Sequence, residues 1–237
     1  MSSGAMAGVW SVLGEVRTTA ELQHLGFAWV GIDAQHGHHD DRSIREALAL
    51  RRERRTTVVV RVAANEPMLI GRALDAGADG VIVPLVQDAK DAARAVEAAH
   101  YPPRGVRSWG PLARPGEQGG LENQPRPHCA VMIETASALH QADEIARIPD
   151  LDQLFVGPFD LSIALGREVD DLLGDFSEDA PLPTVVRACR AAGITAGAFA
   201  GSADRAKVLR RHGFTWVAVT TDAALLRLGA AASVADW

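Results

Sequence analysis

Residues 129–160 read CAVMIETASALHQADEIARIPDLDQLFVGPFD, and this stretch decides the fold. Two short apolar runs, Cys129–Glu134 and Leu154–Val156, lie on either side of a helical pattern over Ala136–Ala146. The runs predict two buried strands, and the pattern between them predicts the helix that connects them.

An acid stands where each of these two strands stops, Glu134 after the first and Asp160 shortly after the second. Because the active site of a parallel barrel is built at the carboxyl ends of its strands, we expect the two carboxylates to converge. Like charges held close together repel unless one is protonated or a cation lies between them. A hard divalent ion with oxygen ligands is the simplest resolution, and Mg²⁺ is typically held by one or two carboxylates with substrate oxygens and water. The alternative is that each acid only caps the helix that follows its strand.

Apolar runs rich in β-branched residues alternate with Ala/Leu/Arg-rich helical stretches along the whole chain. Eight βα repeats in this length predict a single-domain α/β protein, a (β/α)₈ TIM barrel over residues 1–237. A doubly wound open sheet is the alternative, and the lack of a Gly-x-Gly-x-x-Gly turn after the first strand weighs against it. The predicted strands are Ala7–Leu13, Phe27–Asp33, Thr57–Ala63, Gly80–Leu85, Cys129–Glu134, Leu154–Val156, Thr195–Phe199 and Trp216–Val219.

Two stretches interrupt this alternation. Residues 101–127 are rich in Pro, Gly and Arg and predict a long loop, of the kind that is usually functional or disordered. Residues 166–182 are acidic and polar and predict an excursion on the rim. Elsewhere, helices are predicted at Glu66–Ala76, Ala89–Ala99, Ala136–Ala146, Pro183–Ala192 and Ala203–His212, with Gly26, Gly77, Gly193 and Gly213 at helix ends.

Charge and composition restrict the partners and the compartment. A net charge of −6 argues against a nucleic-acid or an anionic-membrane partner. No apolar run is long enough to span a membrane, and the first residues lack the pattern of a secretory signal. Cys129 and Cys189 lie in or beside apolar segments, which favours buried free thiols and a reducing compartment. We therefore expect a cytoplasmic protein.

Polar side chains recur at the predicted strand ends. Trp10 lies on the first strand, Asp33 ends the second with His36 three residues later, and Arg61 lies on the third. Taken singly, Asp33 is as well explained as a helix cap, and His36 belongs to a histidine-rich turn that solvent could simply surround. Arg61 closes the apolar run 58–60, and a buried arginine needs an anionic or hydrogen-bonded partner. We expect that partner to be a carboxylate, either of the protein or of a substrate.

An ordered set of segments resembles the metal-dependent pyruvate aldolases, which cleave 4-hydroxy-2-oxo acids and 2-keto-3-deoxy acids. Any one segment is a weak signal, but the set runs in the same order from about Gly8 to the C-terminus. The segments are GIDAQH (31–36), VRV (60–62), NEP (65–67), LDAGA (74–78), YPPRGVRS (101–108), MIET (132–135), FVGPFDLS (155–162), AFAGS (198–202) and GFTWVAVTTD (213–222).

The resemblance implies a (β/α)₈ barrel that binds a divalent metal, Mg²⁺, Mn²⁺ or Co²⁺, through a glutamate and an aspartate. These fall at Glu134 and Asp160, the acids reached above from the strand ends. The resemblance also makes His36 the general base, paired with Asp33, and Arg61 the residue that stabilises the reacting oxyanion.

The remaining implied roles concern the substrate and the assembly. The resemblance places Met132, Gly157 and Phe159 against the substrate, with Asp160 contributing there too and Trp10 nearby. It implies that Asp75 of a neighbouring subunit supports the histidine through ordered water. The expected partners are therefore a small keto acid, an aldehyde, and further copies of the chain in a dimer-based assembly such as a hexamer.

The chain departs from the commonest family pattern at three positions. Position 35 is Gln where many members have Glu, which makes the surroundings of His36 less acidic. Position 132 is Met where others have a Gln that hydrogen-bonds the substrate, a difference that bears on substrate choice. Position 159 is Phe where a small residue is common, and an aromatic wall beside the metal puts long substrates in doubt.

Two other functions remain open at this point. Acyl-CoA lyases of the malyl- or citramalyl-CoA type also hold a metal through a Glu and an Asp, and the basic stretch 104–126 leaves a nucleotide site open. A non-catalytic barrel would be expected to lack a metal ligand or the base, yet all are present. A Schiff-base aldolase is disfavoured, because neither Lys90 nor Lys207 is at a predicted strand end.

Overall fold

The computed structural model describes residues 5–51, 56–110 and 125–235. Within these ranges eight parallel strands, β1 to β8, pair in chain order and close into a barrel through β1 and β8. The (β/α)₈ prediction is confirmed. The strands are β1 Met6–Ser11, β2 Trp29–Asp33, β3 Thr57–Arg61, β4 Gly80–Val83, β5 His128–Ile133, β6 Gln153–Val156, β7 Thr195–Phe199 and β8 Trp216–Thr221.

Helices follow the strands and cover the outside of the barrel. None of those described is long and apolar enough to cross a membrane. The described helices are α1 Val16–Leu22, α2 Asp41–Ala49, α3 Pro67–Asp75, α4 Ala89–Ala99, α5 Ala136–His140, α6 Ala142–Ala146, α7 Pro158–Ala164, α8 Val169–Gly174, α9 Pro181–Ala192, α10 Ala203–His212 and α11 Asp222–Ser233.

The structure corrects three details of the sequence interpretation. The helix predicted over Ala136–Ala146 is divided at Gln141 into α5 and α6. The polar excursion 166–182 contains α8, which is anchored because its two leucines are buried. Gly26 has a positive φ but lies beyond the end of α1 rather than at it. The predicted loop 101–127 is described only at its two ends, and residues 111–124 lie outside the described residues.

The interior of the barrel is filled by large side chains that lie against glycines. Trp10 packs over Gly31 of the neighbouring strand, where a Cβ would approach Trp10 Cε3 to 2.6 Å. In the same way Trp29 occupies the space above Gly8. Phe155 stacks on Trp10, with 5.6 Å between the ring centroids. The barrel is therefore a packed core, open only at the ends of its strands.

We predict that Gly8→Ala destabilises the protein by about 1–3 kcal/mol, the cost of overpacking a filled core. The added methyl group would collide with the Trp29 ring, which is fully buried and has no room to move. Gly71→Ala is the matched control, because it lies within α3 with nothing within 4 Å of the added Cβ. It should be neutral or stabilise by about 0.5–1 kcal/mol. Urea unfolding midpoints distinguish the two, and an equally stable Gly8→Ala variant would contradict this packing.

Candidate active site

A cavity of about 190 Å³ opens at the carboxyl ends of the strands. Its wall includes most of the residues that the sequence placed at the site. Val12, Phe155 and Phe199 also line it, although their roles were not predicted. The lining residues are Trp10, Val12, Asp33, His36, Arg61, Met132, Phe155, Gly157, Phe159, Asp160 and Phe199.

A buried ion pair joins the ends of two neighbouring strands at this cavity. Asp33 and Arg61 are register partners on β2 and β3. Arg61 Nε donates to Asp33 Oδ1 at 2.9 Å, and Nη2 donates to Oδ2 at 2.6 Å. Burial alone would raise the pKa of Asp33. The hydrogen bonds and charge of Arg61, together with hydrogen bonds from two main-chain N–H groups, lower this pKa by more than burial raises it, so the net shift is downward. The Arg61 partner that the sequence required is therefore a protein carboxylate.

The carboxylate of Asp33 also holds the loop that carries His36. Asp33 Oδ1 accepts hydrogen bonds from the main-chain N–H groups of Gln35, at 3.0 Å, and His36, at 3.2 Å. The resemblance to the aldolases implied that the Asp33 carboxylate pairs with the imidazole ring of His36. In the structure this carboxylate contacts the backbone of His36, and the ring is exposed at the cavity wall.

Glu134 lies beneath the cavity with 2% of its surface exposed. Its Oε1 accepts a 2.7 Å hydrogen bond from the main-chain N–H of Leu85, a residue with a left-handed φ of 57°. Burial is the largest cause of the raised pKa of Glu134; the charge of Asp160 also raises it, while the Leu85 N–H, Arg61 and His36 lower it. A Cβ at position 157 would lie 3.0 Å from Glu134 Oε2, so Gly157 keeps this carboxylate approachable.

The charges at the cavity do not balance. Arg61 forms its ion pair with Asp33, so these two formal charges cancel. Glu134 and Asp160 are close enough to affect each other, and within the described ranges neither forms an ion pair with a lysine, arginine or histidine. Two carboxylates without a bound cation are costly where one of them is buried, and a divalent ion would remove that cost.

The donor set suits a hard divalent cation. In the part of the chain that the structure describes, no group of three or more His, Cys, Asp or Glu side chains is placed to hold a metal. A site built on Glu134 and Asp160 would supply two carboxylates and would leave most coordination positions to substrate oxygens and water. That arrangement is the usual one for Mg²⁺ in enzymes.

Asp75 does not line the cavity of its own chain. It is the last residue of α3, and its Oδ1 accepts a 2.6 Å hydrogen bond from Arg107 Nη2. Arg107 in turn lies 4.5 Å from the ring centroid of Tyr101. The predicted contribution of Asp75 therefore stays a prediction that requires a second copy of the chain.

Aromatic rings form one wall of the cavity. Phe159 lies 6.1 Å from Phe199, measured between ring centroids. Arg205 lies 5.1 Å from the centroid of Phe159 and is held there by two hydrogen bonds to Asp170. Phe155 and Phe199 point inward because side chains alternate along a strand, a signal that strand periodicity alone could have supplied.

A family model described as HpcH/HpaI aldolase/citrate lyase matches residues 6–228. The chain belongs to this family. The resemblance to the metal-dependent pyruvate aldolases seen in the sequence segments is thereby confirmed.

The chain is similar to aldolases over nearly its whole length. It is 33% identical to the 2-dehydro-3,6-dideoxy-6-sulfogluconate aldolase of Pseudomonas putida, over 94% of this chain and 88% of that protein. It is 31% identical to the hydroxypyruvate/pyruvate aldolase of Roseovarius nubinhibens, over 100% of this chain and 93% of that one. A solved HpcH/HpaI family structure from Burkholderia cenocepacia superposes with a TM-score of 0.88, at 29% identity, covering 99% of this chain and 95% of that one.

Membership of this family makes the chain a carbon–carbon lyase of the aldolase class. The acyl-CoA alternative rested on the basic stretch 104–126, most of which lies outside the described residues. The non-catalytic alternative predicted a missing metal ligand or base, yet the structure places both carboxylates and His36 at or beneath the same cavity.

We predict that Asp33→Asn destabilises the protein by about 3–5 kcal/mol at neutral pH, because Arg61 would then be a buried charge without its partner. Since the folded-state pKa of Asp33 is depressed, the wild-type advantage is fully present above the unfolded-state pKa and is lost as the pH falls through the folded-state pKa. Urea unfolding of both proteins as the pH is lowered below about 4 measures this difference. A difference that stays constant across that range would contradict the ion pair as its source.

Proposed function

We propose that this protein is a divalent-metal-dependent aldolase that reversibly cleaves 4-hydroxy-2-oxo acids into pyruvate, or hydroxypyruvate, and an aldehyde. The observation that carries the proposal is the unbalanced carboxylate pair, Glu134 and Asp160, at a cavity that also presents Arg61 and His36. In a scaffold without catalytic function, two neighbouring acids without a cation would only be an uncompensated cost in stability.

Glu134 and Asp160 would hold the metal. When bound, a divalent ion supplies a Lewis acid that stabilises negative charge developing on the oxygens of the keto acid. The Leu85 N–H fixes the orientation of one Glu134 oxygen, which leaves Oε2 on the side of Gly157. The chain's two lysines, Lys90 and Lys207, are not among the described residues that line the cavity, so neither is available there to form a Schiff base.

His36 is the group that can move a proton. Cleavage begins when a base takes the proton of the C4 hydroxyl, after which the C3–C4 bond breaks and the aldehyde leaves. The electron pair of that bond remains on the keto-acid fragment as an enolate, which then takes a proton at C3 to become pyruvate. An imidazole suits the first step because it exchanges protons near neutral pH. Asp33 supports this role by holding the main chain of His36.

Arg61 would stabilise the enolate oxygen. Two of its nitrogens, Nε and Nη2, are fixed by Asp33. The third, Nη1, makes no hydrogen bond to any of the described residues. Its guanidinium also lies 5.4 Å from the centroid of Trp10, so the side chain is held before substrate arrives. A fixed cation aimed at developing charge is an effective form of transition-state stabilisation.

The cavity favours a small substrate. Its 190 Å³ is below the roughly 300–1,000 Å³ of pockets that bury drug-sized ligands. Phe159 and Phe199 make one wall apolar, which suits a short aldehyde chain. Pyruvate or hydroxypyruvate is the proposed keto donor because the chain is similar to hydroxypyruvate/pyruvate aldolases. Met132, in the cavity wall where other members have a hydrogen-bonding Gln, bears on this choice.

We also propose that the working enzyme is a homo-oligomer in the cytoplasm. In one chain Asp75 lies away from the cavity, so its contribution to catalysis requires a neighbouring subunit. Helix α11 supplies apolar surface that another copy could cover, since Leu226 and Leu228 are 59% and 65% exposed. The exposure of these two leucines in a single chain favours an interface.

We predict that the protein condenses pyruvate with glycolaldehyde only when a divalent metal is present. Mass spectrometry should detect 4,5-dihydroxy-2-oxopentanoate with Mg²⁺ or Mn²⁺ and without coenzyme A, and excess chelator should abolish it. Glu134→Gln should lose this activity at every metal concentration, whereas Glu144→Gln, an exposed carboxylate on α6, should retain it. Full activity in chelator would rule out the proposed chemistry.

We predict that Arg61→Lys lowers kcat about 10²–10³-fold, the scale seen when one oxyanion donor is lost. Lysine keeps the positive charge but lacks the planar group that binds Asp33 through two nitrogens and presents a third. Arg51→Lys is the matched control, because Arg51 forms a comparable ion pair with Asp79 away from the cavity. Steady-state kinetics at saturating metal makes the comparison. Equal kcat values for the two variants would remove Arg61 from the mechanism.

A further inference from the structure

A second group of buried polar side chains lies beside the cavity and has no part in the mechanism above. Its centre is Ser11, at the end of β1 and fully buried. Ser11 Oγ lies 3.0 Å from Asp222 Oδ2, 3.1 Å from His39 Nε2 and 2.8 Å from Thr19 Oγ1. The group therefore joins β1, α1, α11 and the residue that precedes the N-cap of α2.

Asp222 anchors this group to the backbone. Its carboxylate accepts hydrogen bonds from the main-chain N–H groups of Val12, Leu13 and Ala223, in addition to the Ser11 hydroxyl. Asp222 is 1% exposed and is the first residue of α11, where the helix dipole favours a negative charge. One carboxylate thus fixes the chain that leaves β1, including Val12 in the cavity wall.

The hydrogen bonds assign the proton on His39. Ser11 gives its only proton to Asp222, so the contact with His39 requires a proton on Nε2 of the ring. Nδ1 then faces Ser43 Oγ at 3.3 Å. Burial lowers the pKa of His39, while Asp222 and other nearby acids raise it less, so the net shift favours the neutral ring.

This arrangement is not a nucleophilic triad. Asp222 contacts the serine and not the histidine, which is the reverse of the order that activates a serine through a histidine base. Ser11 and Asp222 are almost fully buried and neither lines the cavity, so no substrate atom could reach them. The group can act only through the residues that it holds.

Residues 34–40 form the loop that carries His36, here called the His36 loop. The buried polar group holds the far end of this loop. Asp33 fixes the start of this loop through the N–H groups of Gln35 and His36. His39 fixes its other end, and between the two the N–H of His38 donates to Val12 O at 2.8 Å. His36 therefore lies on a short segment that is tied at one end to β2, through Asp33, and at the other to the end of the neighbouring strand β1.

We propose that His39 and Asp222, linked through Ser11, are positioning residues for His36. By fixing both the β1 exit and the end of the His36 loop, they set where the imidazole stands relative to the C4 hydroxyl of the substrate. The inference rests on the proposed aldolase function, in which His36 takes that proton. It extends the function to residues that never touch the substrate.

Two reactions that form the same enolate can distinguish a misplaced base from a generally damaged cavity. Aldol cleavage needs a base for the C4 hydroxyl proton. Oxaloacetate carries a carboxylate on the corresponding carbon, and its decarboxylation releases CO₂, leaves the same enolate and requires no such proton transfer. A displaced His36 should therefore slow cleavage and leave decarboxylation unchanged, whereas a damaged cavity should slow both.

The experiment compares His39→Leu, His39→Gln and the control His212→Leu. Glutamine can offer an N–H near the position of Nε2, so it keeps the bond to Ser11, whereas leucine removes it. His212 is 8% exposed against 6% for His39 and bonds to Leu173 O away from the cavity, so its loss tests destabilisation alone. Cleavage of 4,5-dihydroxy-2-oxopentanoate and decarboxylation of oxaloacetate are measured at saturating Mg²⁺.

For His39→Leu we expect kcat for cleavage to fall about 10²-fold, the scale of a small misplacement of a catalytic group, with KM and decarboxylation unchanged. His39→Gln should recover most of the loss, and His212→Leu should show none. Hydrogen–deuterium exchange at residues 34–40 should rise in His39→Leu and in neither other variant.

Three results would overturn the inference while leaving the proposed function intact. They are an unchanged cleavage rate in His39→Leu, an equal fall in both reactions, and a failure of glutamine to rescue. If the wild-type protein cleaves no 4-hydroxy-2-oxo acid, the proposed function itself fails, and the inference fails with it.

Discussion

The structure of this site depends on a surplus of negative charge at the carboxyl end of the barrel. Glu134 is buried with one main-chain N–H donor, and Asp160 lies near enough to raise its pKa. Arg61, whose charge lowers the pKa of Glu134, already forms an ion pair with Asp33. A divalent ion shared by both acids would neutralise their charge. The same ion would also withdraw electron density from a keto acid, so it would serve both the stability of the site and the proposed chemistry.

The strand ends around these two acids hold the other side chains of the site rigidly. The register of β2 and β3 places Asp33 beside Arg61, and the same carboxylate holds the backbone of His36. Asp222 then holds the adjoining end of β1. Arg61 thus stands on a strand end, and His36 stands on a short segment tied at both ends, so both side chains have rigid support without a long loop.

The sequence was sufficient for the barrel because strands buried on both faces are continuous apolar runs. It also led to Glu134 and Asp160 as candidates, because strand ends can be located along the chain. It could not show that Asp33 uses both oxygens on Arg61, since that depends on side-chain geometry. It could not reveal the contact between Ser11 and Asp222, which are 211 positions apart and meet only when β1 and β8 close the barrel.

The most direct test of the account is a crystal structure of the protein with Mn²⁺ and oxalate, an unreactive mimic of the pyruvate enolate, with anomalous diffraction measured from the manganese. The account predicts one strong anomalous peak between the carboxylates of Glu134 and Asp160, about 2.0–2.2 Å from an oxygen of each, as for small hard cations. An anomalous peak elsewhere, or saturating Mn²⁺ with no peak between these acids, would contradict it.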